Sequence, residues 1–251
     1  SFEPALLQGM DLIRAEMQKI TDSSEAATFA NTIEAFEDSG RALNRGMSVF
    51  GVYTSNLNDK QVQALESEMS PLLAAFDDEI IQNSKLFQRI KAVQTDSASA
   101  DLTPEQQRLV DTHFRRFERR GAGLDEAQKI RLKAINQRLA SLFTNFSQNQ
   151  LADEEGYILT IDSEADLAGV PDSLRAGAAQ AAKDRELAGK WVFTNTRSSM
   201  EPFLSYSSRR DLREKVWRMF VSRGDNGGAT DNNAIISEIL QLRAQRAKLL
   251  G

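Results

Sequence analysis

The 251-residue chain has no cysteine and one histidine, His113. Without thiols there is no disulfide, no thiolate nucleophile and no cysteine-based metal site. A lone imidazole also falls short of a catalytic zinc ion, which usually takes about three protein ligands drawn mostly from His, Glu and Asp. A Ser-His-Asp triad stays arithmetically open, but it would have to use His113. Neither His-Glu-x-x-His nor Gly-x-Ser-x-Gly occurs in the chain. A basic excess is missing too: 31 Lys and Arg face 36 Asp and Glu, a formal net charge of -5. That balance argues against a nucleic-acid partner, which would favour a basic patch. No apolar run approaches the roughly 20 residues of a membrane-spanning helix. The opening Ser1-Phe2-Glu3-Pro4 shows neither an initiator Met nor a basic segment leading into an apolar one. We read it as a processed or engineered start, which leaves the compartment open between cytoplasm and periplasm.

What is present is helical periodicity. Leu6, Met10, Ile13, Met17 and Ile20 step by three and four, the spacing of one helix face. Ile33, Phe36, Gly40, Leu43, Met47 and Phe50 repeat it and predict one helix, capped by Asn31 or Thr32. Val62 to Ile80 repeat it again behind an Asp59 cap, with Pro71 predicting a kink or break. A shorter helix is expected from Ser84 to about Val93, then a polar surface loop over residues 94–102. Thr103-Pro104-Glu105-Gln106 is a strong helix start: a Thr cap, Pro in the first position and Gln three residues on. A long helix follows from Asp125 to about Asn149.

The pattern then changes. Residues 157–161 and 190–194 are short β-prone runs, expected to pair as a small ribbon around an Ala-rich helix from Pro171 to Glu186. Helices return at about 208–223 and from Asp231 towards Leu250. The fold class is therefore mainly α, with residues 1–150 as helices and 151–251 as a β ribbon plus helices. Leu249-Leu250-Gly251 ends the chain on apolar residues that need something to pack against, and we read it as a cut.

Each candidate for chemistry has a plainer reading. His113 would need a nucleophile and an orienting acid nearby, which spacing does not reveal, so a structural role is preferred. Asp77-Asp78-Glu79 and Asp153-Glu154-Glu155 lack the Gly-punctuated loop of a specific calcium motif and read as solvated helix ends. Phe114-Arg115-Arg116-Phe117-Glu118-Arg119-Arg120 interleaves aromatics with arginines, but the two Phe belong to the apolar face and the arginines to the wet one. Gly224-Asp225-Asn226-Gly227-Gly228 lacks the Lys-Ser/Thr ending of a phosphate loop and reads as a turn.

Several stretches, in order, resemble the thimet oligopeptidase, neurolysin and bacterial peptidyl-dipeptidase family, with the Dcp branch the best fit. They are Asn31 to Gly40 (N-T-I-E-A-F-E-D-S-G), Leu167-Ala168-Gly169-Val170-Pro171, Trp191-Val192-Phe193-Thr194, Glu201-Pro202-Phe203-Leu204, Arg209 to Glu214, Asp231-Asn232-Asn233, and Ala247 to Gly251. Arg197-Ser198-Ser199 departs from the family, standing where a proline-bearing turn is expected and altering a loop. The resemblance implies a neurolysin-like N-terminal helical region of a longer zinc peptidase whose His-Glu-x-x-His helix lies beyond this sequence. Residues 1–251 would then form one wall of a deep channel, with the catalytic zinc domain absent and no catalytic or metal residue to carry over. The full-length parent would use zinc to hydrolyse short peptides, releasing C-terminal dipeptides, and the fragment alone would be inactive and bind no metal. Its partners would be short peptides and the missing catalytic half, or a second copy through the apolar surface left exposed. Which residues face substrate is not assigned. The alternative is a stand-alone helical interaction module, against which the apolar Leu249-Leu250 end speaks.

Overall fold

Helices take up most of the chain because apolar residues recur every three or four positions along it, as in the computed structural model, which describes residues 2–97 and 101–251. By internal contacts the chain divides into unit 1, Ser1–Thr144 with Ile239–Gly251, and unit 2, Asn145–Glu238.

Unit 1 begins with α1 (Phe2–Thr21), which buries Leu6, Gly9, Met10, Met17 and Ile20. It packs on α3 (Arg41–Asn56) so closely that a Cβ at Gly9 would stand 2.9 Å from the Leu43 Cα. The single helix expected from Ile33 to Phe50 is instead divided. Phe29–Glu34 is a π-helical turn running into the three-residue α2 (Ala35–Glu37), and α3 starts after Gly40. Gly40 has φ +77°, a left-handed conformation that breaks the helix while leaving the apolar spacing readable across it. The cap also moves. Thr28 caps the π turn, and Asn31, expected as a cap, supplies the reciprocal side chain of the capping box.

Asp59 caps α4 (Lys60–Ile81) as expected, accepting from the Gln61 and Val62 amides. Pro71, expected to bring a kink or a break, lies inside α4, which runs unbroken through it. One missing amide donor is outweighed by the burial of Val62, Met69 and Phe76, seven residues apart on one face. Helix α5 (Ser84–Asp96) takes in Gln94 to Asp96, the start of the expected loop; residues 98–100 of that loop lie outside the described residues. Helix α6 (Pro104–Arg119) carries the Thr103/Gln106 capping box, and α7 (Glu126–Gly156) runs past the expected end near Asn149. Helices α1, α5 and α6 enclose a core of Met17, Ile20, Ile33, Leu86, Ile90, Val110 and Phe117.

In unit 2, β1 (Ile158–Ile161) pairs antiparallel with β2 (Trp191–Thr194), Ile158 opposite Thr194 and Ile161 opposite Trp191. This is the expected ribbon. Helices α8 (Asp172–Lys183), α9 (Arg197–Tyr206) and α10 (Arg210–Val221) surround it, and α11 (Asn233–Leu250) follows. Arg197-Ser198-Ser199, expected to alter a loop, opens α9 instead. There the Ser199 hydroxyl accepts from the Thr194 amide and joins the helix start to the strand. Phe193 and Phe203, both fully buried with ring centroids 4.4 Å apart, anchor a core with Ile161, Leu167, Val170, Met200 and Val216.

Candidate functional site

In unit 1 a cavity of about 460 Å³ lies between the end of α4, the end of α6, the first half of α7 and the last turns of α11. Asp78, on α4, is 2% exposed, and its carboxylate accepts from the Asn136 side-chain amide at 2.8 and 3.0 Å. The Asn136 oxygen in turn accepts from Arg246 at 3.4 Å. Next to Asp78 in sequence, Asp77 pairs with Arg120, the residue that ends α6. Burial pushes the Asp78 carboxyl above its ordinary range, against the pull of Asn136 and Arg120. The Asp77 carboxylate holds the Arg120 guanidinium above its own ordinary value. Leu132, Leu139, Phe143 and Leu250 supply apolar wall. The polar groups of the described lining are the carboxylates of Asp77 and Asp78, the Asn136 amide and the guanidinium groups of Arg119, Arg120 and Arg246.

His113 is 4% exposed, and its Nε2 lies 2.6 Å from a Glu37 carboxylate oxygen. The Phe36 ring meets it edge-on at 5.3 Å. Nδ1 is buried without a hydrogen-bond partner among the described residues. The imidazole therefore ties α6 to α2. Burial lowers its pKa below the ordinary 6.5, although Glu37 opposes this. As pH falls through about 6.5, an unfolded imidazole takes a proton that the folded one refuses, so the unfolded state binds more protons. Stability from this group is thus complete above that pH and lost as pH drops towards the folded value. His113→Gln removes the titration and should flatten the fall in urea midpoint between about pH 7 and 5.5. An unchanged slope would mean the imidazole is not held neutral.

The acidic triplets are not simply solvated helix ends. In the first, Asp78 is buried and Glu79 pairs with Arg14 at 2.8 Å. In the second, Asp153 is 1% exposed and gathers three donors from residues 224–230. Glu154 pairs with Arg223. Of the four arginines around Phe117, Arg115, Arg116 and Arg119 are exposed as expected, Arg120 is half-buried, and Arg119 and Arg120 both line the cavity. Residues 224–228 form a turn. Among the described residues, no group of three or more His, Cys, Asp or Glu is placed to hold a metal ion.

A network the composition could not show surrounds the π turn. Arg89 donates to the Ser23 and Glu25 carbonyls and to the Asn31 side-chain oxygen. The same oxygen accepts from the Thr28 amide and the Thr32 hydroxyl. The Asn31-Thr32-Ile33 stretch is thus held by one shared acceptor, and Thr32 and Ile33 are fully buried.

Residues 6–129 match the family model described as the Neurolysin/Thimet oligopeptidase, N-terminal domain. Together with similarity to individual peptidases, the match fits an N-terminal portion of a thimet oligopeptidase-family protein. The chain is 35% identical over 250 residues to the dipeptidyl carboxypeptidase of Escherichia coli, covering 100% of this chain and 37% of that protein. It is 32% identical over 228 residues to oligopeptidase A of Haemophilus influenzae, covering 89% of this chain and 33% of that protein. With the organellar oligopeptidase A of Arabidopsis thaliana it shares 30% identity over 256 residues, covering 98% of this chain and 31% of that protein. The chain thus spans about a third of the length of these relatives.

Proposed function

We propose that the chain is the non-catalytic N-terminal part of a zinc-dependent peptidase whose whole form hydrolyses short peptides and releases dipeptides from their C-termini. Its helices would supply scaffold and a wall of the substrate channel. The observation that carries this reading is an alignment along 100% of the chain that occupies only 37% of a dipeptidyl carboxypeptidase. Ligand supply supports it as well: one histidine and no cysteine leave residues 1–251 short of a hydrolytic zinc centre. Apolar side chains that stay exposed in unit 1, among them Ile130, Phe143 and Leu240, would be offered to the remainder of the parent or, without it, to a second copy.

The test compares this chain with the full-length product of its gene on a short peptide bearing a free C-terminus. The full-length protein is expected to release dipeptides and to lose that activity on chelation, recovering it with zinc. The chain alone is expected to show neither hydrolysis nor stoichiometric zinc. Chelator-resistant hydrolysis that follows this chain through purification would overturn the reading. So would a gene that carries no His-Glu-x-x-His further on.

A further inference from the structure

Unit 2 holds eight arginines, and six are engaged: Arg175, Arg185 and Arg223 with backbone carbonyls, Arg197 with Glu201, Arg209 with Asp166 and Asp211, and Arg218 with Glu214. Arg223 also pairs with Glu154. The other two, Arg210 and Arg213, make no side-chain hydrogen bond or ion pair among the described residues, and both line one open cavity of about 510 Å³. Leu204, Glu214 and Trp217 complete its lining. Trp217 is 50% exposed, so half of a large apolar indole faces solvent at this cavity. Glu214, the acid in this cavity, is already bonded to Arg218 at 2.8 and 2.9 Å and neutralises neither neighbour. Arg210, Arg213 and Trp217 are spaced by three and four on α10 and so share one face of it. Arg210 also sits in the first turn, where the helix dipole favours an anion over a cation.

We propose that this face of α10 is a binding site for an acidic peptide segment. A carboxylate side chain would sit in the guanidinium forks of Arg210 and Arg213, and an apolar or aromatic side chain would lie on Trp217 and Leu204. Guanidinium forks match carboxylates in a bidentate way, and an indole face takes an aromatic ring or aliphatic side chain. From Arg210 to Trp217 the helix rises about 10 Å. An extended peptide covers that in about three residues. The spacing therefore selects an acid and an apolar residue about three positions apart. The net charge of -5 disfavours a polyanion at long range, which sets a peptide carboxylate above a polyphosphate.

The chain has two tryptophans, so Trp191→Phe leaves Trp217 as the only indole reporter. The probe is an acetylated, amidated tetrapeptide with glutamate first, two alanines and phenylalanine last. Titrating it should give a saturable change in Trp217 emission. Replacing the glutamate by glutamine, or making Arg213→Gln in the protein, should weaken binding about tenfold or more. Raising the salt should weaken it further. The peptide swap needs no protein variant, so it reads even if a substitution perturbs folding. No emission change up to millimolar peptide, equal response to the glutamine peptide, or tighter binding of adenosine monophosphate would each overturn the proposal. Binding is read on this chain alone, so failure of the hydrolysis test leaves it intact, and its own failure leaves the peptidase reading intact.

Discussion

Gly169→Ala is expected to destabilise unit 2 by about 3 kcal/mol, a large share of the 5–15 kcal/mol typical of a folded domain. Gly169 has φ +82°, and an alanine held in that region costs about 1–2 kcal/mol from backbone sterics alone. Space adds to the cost. A Cβ there would stand 2.3 Å from the Tyr206 carbonyl oxygen, 2.6 Å from the Ser208 hydroxyl and 3.0 Å from the Ser208 amide nitrogen. Two of these three are backbone atoms, which cannot swing aside as a long side chain can. The Ser208 amide donates to the Ala168 carbonyl at 2.8 Å, so moving residues 206–208 away also stretches that bond. Forcing a methyl group into such a contact typically costs about 1–3 kcal/mol. Gly227→Ala separates the two contributions: φ there is +67°, but a Cβ would meet nothing within 4 Å. Urea unfolding followed by Trp emission should show about 1 kcal/mol for Gly227→Ala and clearly more for Gly169→Ala. Equal losses would show that the approach of the Gly169 turn to the end of α9 is not tight.

The same contrast marks what the sequence made legible. The Leu-x-Gly-hydrophobic-Pro step could be seen, and so could the β ribbon, the Asp59 cap and the Thr103 capping box, because each is a local pattern with a local cause. Gly40 hid a helix break because it falls on the apolar rhythm, so spacing alone reads straight through it. At Pro71 the letters allowed a kink or a break, and the helix runs unbroken. The local penalty was visible, but the burial of Met69 and Phe76 that outweighs it is a property of the packed core. Helix α9 went unnoticed because Arg197-Ser198-Ser199 and Pro202 speak locally for a turn, while its reason to form is the burial of Met200 and Phe203. Asp77, Asp78 and Asp153 were indistinguishable as letters. Their partners Arg120, Asn136 and residues 224–230 lie about 40 to 80 positions away, beyond the reach of any spacing rule.

Asp153 carries the second large effect. Its carboxylate is 1% exposed and accepts from the Gly224 amide at 2.7 Å, the Asn226 side-chain amide at 2.8 Å and the Thr230 hydroxyl at 2.5 Å. Its own carbonyl accepts from the Tyr157 amide and from Asn195. The first set fixes a loop that is otherwise rich in glycine and costly to order. Asn232 closes the far side, donating to the Phe146 carbonyl and accepting from Asn149, and a Cβ at Gly224 would lie 2.8 Å from its amide nitrogen. Asp153→Ala strips the acceptor from three donors at once, and we expect a loss of about 3–5 kcal/mol. Asp153→Asn keeps the shape and one acceptor oxygen. If that oxygen serves Gly224 and Asn226, the new amide can donate to the Thr230 hydroxyl, which can rotate to accept. The loss should then be roughly 1–2 kcal/mol, that of charge-assisted bonds becoming neutral ones. Hydrogen exchange locates the effect: the Gly224 amide should lose its protection in Asp153→Ala and keep part of it in Asp153→Asn. If both substitutions cost the same and exchange at Gly224 is unchanged, the loop is held by Asn232 and the α7 backbone, and the buried carboxylate is not what orders it.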